Sequence, residues 1–102
     1  MPVQIQKNED VMTAFLMGEI DHHNSKNIRE SIDSSAQRLV PSLLLLDFKD
    51  VSFMDSSGIG LVMGRYKLMQ SLGGMLRITN ASSYIIKVMK LAGLDKLAVI
   101  EK

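Results

Sequence analysis

Four consecutive leucines, residues 43–46, constrain the fold of this chain more than any other feature of its sequence. A short apolar run without polar alternation is typical of a strand that is covered on both faces and pairs parallel to its neighbours. Parallel strands need crossover connections, which are usually helices. The run therefore predicts a central strand in a largely parallel sheet, with helices before and after it.

Helical periodicity is found on both sides of this strand. Residues 23–39 and residues 59–69 each carry an apolar stripe on one helix face, made of Ile28, Ile32, Ala36 and Leu39 in the first and Ile59, Val62, Met63, Tyr66 and Met69 in the second. Asp21 or Asn24 can cap the first helix, and Pro41 ends it. A third helix is predicted over residues 84–91, with Ile85, Val88 and Met89 inward.

Extended segments complete the pattern. Residues 3–7 and 11–17 form a predicted hairpin whose second strand is closed by Gly18, and residues 75–79 and 97–100 form two later strands. The predicted order is β-β-α-β-α-β-α-β. This order indicates one α/β domain over residues 1–102, with a mixed, mostly parallel β-sheet packed by helices and its first strand at an edge.

Composition excludes several classes of function. Twelve Lys and Arg against eleven Asp and Glu leave a net charge of +1 in 102 residues, too little to attract nucleic acid or an anionic membrane. The absence of Cys excludes disulfides, thiolate metal sites and cysteine nucleophiles. The N-terminal residues lack a signal-peptide pattern, and no segment is long and apolar enough for a membrane span, so we expect a cytoplasmic protein.

The segment of residues 53–60, Phe-Met-Asp-Ser-Ser-Gly-Ile-Gly, is the most unusual in the chain. An aspartate and two serines at a helix start are typical of capping, because their oxygens accept hydrogen bonds from the first turn. Two apolar residues in a predicted loop, and glycines at 58, 60 and 64 that each cost a helix roughly 1 kcal/mol relative to alanine, favour a further role. The glycines serve either tight packing on the sheet or close approach of a partner, and both interpretations stay open.

Leu61 and Leu68 lie nearly opposite the apolar stripe of the predicted second helix, with Arg65 between them. Two exposed leucines beside a serine-rich helix start predict a modest interaction patch. This patch and the small net charge leave self-association open, and we expect a monomer when the protein is free.

Catalysis and metal binding have little support in the residues. A hydrolase triad from Asp21, a neighbouring histidine and Ser56 lacks a Gly-x-Ser-x-Gly elbow, and His22 and His23 supply too few metal ligands without further His or Cys. The glycine spacing after residue 57 differs from the dinucleotide fingerprint, and eight residues separate the leucine strand from the predicted helix. We therefore expect no enzyme activity, no cofactor and no metal.

Three stretches resemble the anti-sigma factor antagonists, which are single STAS domains. They are residues 18–23 (Gly-Glu-Ile-Asp-His-His), Asp47-Phe48 leading into residues 51–60, and residues 64–67 (Gly-Arg-Tyr-Lys). The match covers nearly the whole chain, and the block of residues 51–67 is specific. The pairing of Asp-His-His with Phe-Met-Asp-Ser-Ser-Gly is similar to the sporulation branch in particular.

The resemblance implies a non-enzymatic partner switch. In that family the unmodified protein binds an anti-sigma factor that is also a serine kinase carrying ATP or ADP, which frees a sigma factor for transcription. The kinase then phosphorylates a serine in the loop before the second helix, and a serine phosphatase resets it. By this resemblance the phosphoacceptor is Ser56, and Ser57 is a neighbouring cap.

The same resemblance implies the residues that contact the anti-sigma factor. Asp21 would lie near the Ser56 loop and contact a basic residue of the partner, although a plain helix cap is an equally simple interpretation. Ile59 and its neighbours would add apolar and close-approach contacts, while Ile59 also fits the core. The implied contact set is Asp21, Asp55, Ser56, Ser57, Ile59, Gly60 and Leu61.

Two alternatives stay beside this interpretation. The first is a STAS domain that acts in general stress signalling or in a larger assembly. His22 and His23 favour sporulation over this alternative. The second is a small nucleotide-binding or nucleotide-hydrolysing protein that uses the Ser56 loop as a phosphate cradle. The family pattern continues into a fourth helix, whereas this sequence stops at Lys102, so no contact is predicted for that helix.

Overall fold

The computed structural model describes residues 3–102, which form a five-stranded sheet and three α-helices. The strands are β1 (Val3–Asn8), β2 (Val11–Ile20), β3 (Leu43–Met54), β4 (Met75–Thr79) and β5 (Val99–Ile100). The helices are α1 (Ser25–Leu39), α2 (Ser56–Ser71) and α3 (Ser83–Leu91). Met1 and Pro2, which the predicted domain includes, lie outside the described residues.

The sheet has the order β1-β2-β3-β4-β5. β1 pairs antiparallel with β2, and each later pair is parallel. The structure confirms the predicted α/β class, the mixed and mostly parallel sheet, the edge position of the first strand and the central position of the leucine strand.

The strand order explains why the core lies on a single face of the sheet. From β2 to β5 each parallel strand is added on the same side of the previous one, so right-handed crossovers keep the helices on one face. Alternate residues of β2 and β3 turn to that face and are buried, namely Met12, Ala14, Leu16, Leu44 and Leu46. They form one cluster with Ile28, Ile32 and Ala36 of α1, Val62 and Met69 of α2, and Ile85 and Met89 of α3.

The opposite face of the sheet is less covered than the sequence predicts. Leu43 and Leu45 point to this face and are only half-buried, beside their register partners Val11 and Thr13. The prediction that the leucine run is covered on both faces is therefore wrong. A sheet receives helices on both faces when its strand order reverses, and this order does not reverse.

β2 and β3 are longer than predicted. Gly18, at φ 78°, does not end β2, which continues to Ile20, and the predicted loop after residue 47 is the second half of β3. Register shifts between Phe15 and Met17 and after Gly18 interrupt the pairing. They change which residues face the core: in this half the buried residues are Phe48, Val51 and Met54, three positions apart instead of two.

The remaining boundaries agree closely with the predictions. α1 begins at Ser25 instead of residue 23, and Val40 ends it in a left-handed conformation before the buried Pro41. α3 begins at Ser83, one residue before its predicted start. The last strand is shorter than predicted, because a 3-10 turn at Leu94–Lys96 precedes it. Among residues 3–102, the helices are too short or too polar to cross a membrane.

Candidate partner-binding site

The ends of β2 and β3 place two aspartates side by side. Ile20 and Met54 are register partners, so Asp21 and Asp55, the next residues, leave the sheet at the same edge. The backbone amide of Asp55 donates to the carbonyl oxygen of Ile20 at 3.1 Å and joins the two loops. The structure thus brings Asp21 to the Ser56 loop, as the resemblance implied, and a contact of Asp21 with a partner stays a prediction.

Asp55 caps the N-terminus of α2. Its Oδ1 accepts a hydrogen bond from the backbone amide of Ser57 at 2.7 Å, an interaction typically worth about 1 kcal/mol. The prediction of Ser57 as the capping side chain is wrong, because Ser57 contributes its amide and Asp55 the capping oxygen. Ser56, the first residue of the helix, is exposed, and its hydroxyl has no capping role.

Asp21 organises the turn before α1 and is not the N-cap itself. Its Oδ1 accepts from the amides of His23 and Asn24, at 2.9 and 3.3 Å, while its own amide donates to Oδ1 of Asn24. Desolvation acts to raise the pKa of Asp21, but the two backbone hydrogen bonds and the rings of His22 and His23 together lower this pKa below its ordinary value. The site therefore carries an ionised carboxylate at its edge at neutral pH.

The three glycines of α2 have different surroundings. A Cβ atom on Gly58 would overlap the side chain of Met54, so this glycine allows α2 to pack against the end of β3. A Cβ atom on Gly60 or Gly64 would meet open space. Tight packing explains Gly58, whereas packing within the fold does not explain Gly60 or Gly64, where close approach of a partner stays a prediction.

The predicted exposed patch of Leu61 and Leu68 is wrong. Leu61 is only 4% exposed, and Leu68 is half-buried against the core. The reason is that α2 packs against α1 as well as against the sheet, so a second face of the helix is covered. Ile59, which the stripe placed in the core, is half-buried and packs against the core at its edge.

An ionic cluster that the sequence did not predict lies between α1 and α2. Nε of Arg65 lies 2.8 Å from Oδ1 of Asp33, and the side chain of Arg65 is only 7% exposed. Burial lowers the pKa of Arg65. The charge of Asp33 acts to raise this pKa, and the charge of Arg29 lowers it further. Burial also raises the pKa of Asp33, although Arg65 and Arg29 act to lower it.

This cluster adjoins an open cavity of about 310 Å³, which we name the α1–α2 groove. The groove is lined by Ser25, Arg29, Ser57, Gly60, Leu61 and Arg65. Arg29 and Asp33 stand four residues apart on α1, a spacing that signals a shared helix face in the sequence. No sequence signal links that face to Arg65.

The passage from β3 to α2 is shorter than predicted. Only Asp55 separates Met54 at the end of β3 from Ser56 at the start of α2. The predicted gap of eight residues between this strand and the helix is therefore wrong, and the turn between them is tight. The glycine pattern itself still differs from the dinucleotide fingerprint. His22 and His23 are exposed, with ring centroids 4.0 Å apart, and residues 3–102 contain no group of three His, Cys, Asp or Glu placed to hold a metal ion.

Comparison with known proteins places this geometry in a family. The STAS domain model matches residues 2–102. An anti-sigma F factor antagonist of Paenibacillus polymyxa is 32% identical over 98% of this chain and 86% of its own length. An anti-sigma-B factor antagonist of Bacillus subtilis is 33% identical over 93% of this chain and 85% of its own length.

Solved structures agree with the sequence relatives. The anti-sigma factor antagonist SpoIIAA in its unphosphorylated form has a TM-score of 0.84 and 30% identity, covering 98% of this chain and 88% of that one. The Bacillus cell fate determinant SpoIIAA in the phosphorylated form has a TM-score of 0.76 and 30% identity, covering 98% and 91%. With the strand order, the capped α2 and the residues that carry the resemblance, these findings establish that the chain belongs to the STAS domain family.

Proposed function

We propose that this chain is an anti-sigma factor antagonist, which in its unmodified form binds an anti-sigma factor with serine kinase activity and is released when Ser56 is phosphorylated. The observation that carries the proposal is the exposed position of Ser56 at the start of α2, beside the Asp21 loop. The partner carries ATP or ADP, and a serine phosphatase restores the unmodified form. The exchange takes place in the cytoplasm, and the free protein is a monomer.

The surface around Ser56 suits a close protein contact. We name Asp21, Ser56, Ile59 and Gly60 the outer surface. Gly60 is exposed with open space above it, so the backbone of a partner can approach α2 closely there. Ile59 offers an apolar edge, and the carboxylate of Asp21 offers a charge for a basic residue of the partner.

Phosphorylation of Ser56 would change this surface electrostatically. A seryl phosphate adds about −1.5 to −2 charges at pH 7. The positive end of α2 accepts this charge without damage to the fold. A docked partner, however, would have to desolvate the phosphate beside the carboxylates of Asp21 and Asp55. A penalty of about 3 kcal/mol weakens binding more than 100-fold, which is enough for release without rearrangement of the sheet.

Intact-mass measurement tests the modification directly. The protein is incubated with ATP and the serine kinase from its own organism, in parallel with Ser56→Ala and Ser57→Ala. We expect one added phosphate on the wild type and on Ser57→Ala, and none on Ser56→Ala. Ser57→Ala is the matched control, since it removes the neighbouring hydroxyl and keeps the amide that Asp55 caps.

Two results would contradict the proposal. One is the absence of phosphate on the wild type with a kinase that is active on a reference substrate. The other is stoichiometric nucleotide binding by the isolated protein that is lost in Ser56→Ala, which would favour the nucleotide-binding alternative.

We infer sporulation control as the setting, on the Asp-His-His sequence of residues 21–23 and the similarity to an anti-sigma F factor antagonist. General stress signalling is the second candidate, because the anti-sigma-B factor antagonist has a similar identity, 33% over 93% of this chain. Affinities for the anti-sigma F and anti-sigma-B factors of one organism, measured side by side, distinguish the two. Tighter binding to the anti-sigma-B factor would overturn the sporulation assignment and keep the antagonist function.

A further inference from the structure

The α1–α2 groove contains positive charge that the partner switch does not use. Its lining includes the guanidinium groups of Arg29 and Arg65 and no carboxylate. The nearby carboxylate of Asp33 contacts Nε of Arg65, at 2.8 Å. Arg29, Arg65 and Asp33 together carry one excess positive charge, while the carboxylate of Asp55 accepts from the amide of Ser57 at the α2 end of the cavity.

Arg65 is the more unusual of the two arginines. Its side chain is only 7% exposed. Its Nε and Nη1 nevertheless have no hydrogen-bond acceptor within residues 3–102. Oδ1 of Asp33 is close to Nε but lies off the direction of the N–H bond, and it too lacks a hydrogen bond. Buried donors without acceptors are rare and costly, and a charged donor most of all. Arg65 also lines the open cavity, so its positive charge acts on an anion that enters the groove.

Both helix N-termini open on the same cavity. Ser25 is the first residue of α1 and Ser57 is the second residue of α2, and both line the groove. The amides of Ser25 and Ser57 already donate within the protein, to the carbonyl oxygen of Asp21 and to Oδ1 of Asp55. What the two helix starts offer an anion is therefore the positive end of each helix dipole. These helices have 15 and 16 residues, so both dipoles are well developed.

We propose that the α1–α2 groove binds a phosphate-type oxyanion, held by the side chains of Arg65 and Arg29 and favoured by the helix dipoles of α1 and α2. A tetrahedral phosphate presents several acceptors at once and suits donors that converge from two helices, whereas a carboxylate presents two. The bound anion neutralises the excess positive charge of the two arginines.

Two sources can supply this group. One is a free phosphate ligand, and the other is a phosphoryl group on a serine of this chain. Ser57 lines the groove, and Ser56 stands four residues before Gly60, which also lines it. A phosphoryl group on Ser56 would therefore lie at the mouth of the groove.

Titration of the unmodified protein with inorganic phosphate, followed by ¹H–¹⁵N NMR at constant ionic strength with chloride as the reference anion, tests the site. We expect saturable shifts of groove amides with phosphate and none with chloride. Arg29→Ala removes an exposed groove arginine and should weaken phosphate binding about tenfold or more. Arg38→Ala, at the far end of the same helix and outside the groove, is the matched control and should leave the affinity unchanged.

Asp33→Asn gives an effect of opposite sign. It removes the competing negative charge at similar size, so phosphate should bind more tightly. Absence of saturable groove shifts with phosphate would overturn the proposal, as would equal affinities of Arg29→Ala and Arg38→Ala. These measurements use unmodified protein, so they do not depend on phosphorylation of Ser56.

A second arm identifies the source. If the chain's own phosphoryl group fills the groove, protein phosphorylated on Ser56 should no longer bind inorganic phosphate, while Ser56→Ala still does. Equal phosphate affinity in both would assign the groove to a free phosphate ligand.

Discussion

The first turns of α2 contribute to two surfaces of opposite charge, which meet at Gly60. On one side, the outer surface is acidic and carries the half-buried carboxylate of Asp21 and the exposed, neutral hydroxyl of Ser56. On the other side, the α1–α2 groove is basic and contains a guanidinium that is almost fully buried. A negative charge added between them would weaken the binding of a partner to the outer surface, and it would be attracted by the positive charge of the groove. The contrast suits a switch that changes binding and leaves the fold intact.

The groove side should dominate stability. Asp33→Ala leaves the buried guanidinium of Arg65 without its anion, which we expect to lower the free energy of unfolding by about 3 kcal/mol. Glu30→Ala removes an exposed carboxylate from the same helix and should change it by less than about 0.5 kcal/mol. Urea unfolding of both variants makes the comparison, and equal effects would show that Arg65 does not depend on Asp33.

The outer surface should dominate partner binding. Gly60→Leu fills the open space above α2 and should weaken the affinity for the anti-sigma factor about 100-fold, or about 2.7 kcal/mol. The stability of the protein should stay the same or rise, because leucine forms helices better than glycine. Gly64→Leu is the control one turn further along, also in open space. Calorimetric titration gives the affinities, and equal affinity of Gly60→Leu and the wild type would exclude close approach at this position.

Gly58 should separate packing from partner contact. Gly58→Ala places a methyl group against Met54, and overpacking of this kind costs about 1–3 kcal/mol, more than the helix gains from alanine. Gly64→Ala meets no neighbour and should stabilise the protein by about 1 kcal/mol or less. Opposite shifts in melting temperature are expected, and a stabilising Gly58→Ala would contradict the assignment.

The smallest effect concerns the pH dependence contributed by Asp21. Its folded-state pKa is lowered, so its ionised form stabilises the fold above the unfolded-state pKa, and this contribution is lost as the pH falls through the folded-state value. Wild type should therefore melt above Asp21→Asn near about pH 6, and the difference should shrink towards about pH 3. A difference that is the same at both pH values would show that the carboxylate charge is not the cause.

Contiguous patterns predicted most of the architecture. The stripe of Ile28, Ile32 and Ala36 identified α1 and its buried face, because helix periodicity depends only on residues a few positions apart. The same logic failed for the second half of β3. In that half the buried residues Phe48, Val51 and Met54 stand three positions apart instead of two, because the pairing with β2 shifts register. The shifts depend on β2, so the sequence of β3 alone does not show them.

The candidate site also has a part that the sequence predicted and a part that it did not. The Ser56 segment was visible in the sequence because its aspartate, serines and glycines are adjacent in the chain. The α1–α2 groove was not visible, since Arg29 and Arg65 lie on different helices. The helical pattern of α2 placed Arg65 between two exposed leucines, because it takes only the sheet into account.

The sequence by itself thus determined the order of the elements, the buried face of α1 and the segment that contains Ser56. The tertiary structure alone decided that one sheet face stays open and that α1 covers the second side of α2. The physical reason is that local periodicity reports one apolar face per element, whereas the burial of Leu61 and Arg65 depends on α1, a neighbour distant in the chain.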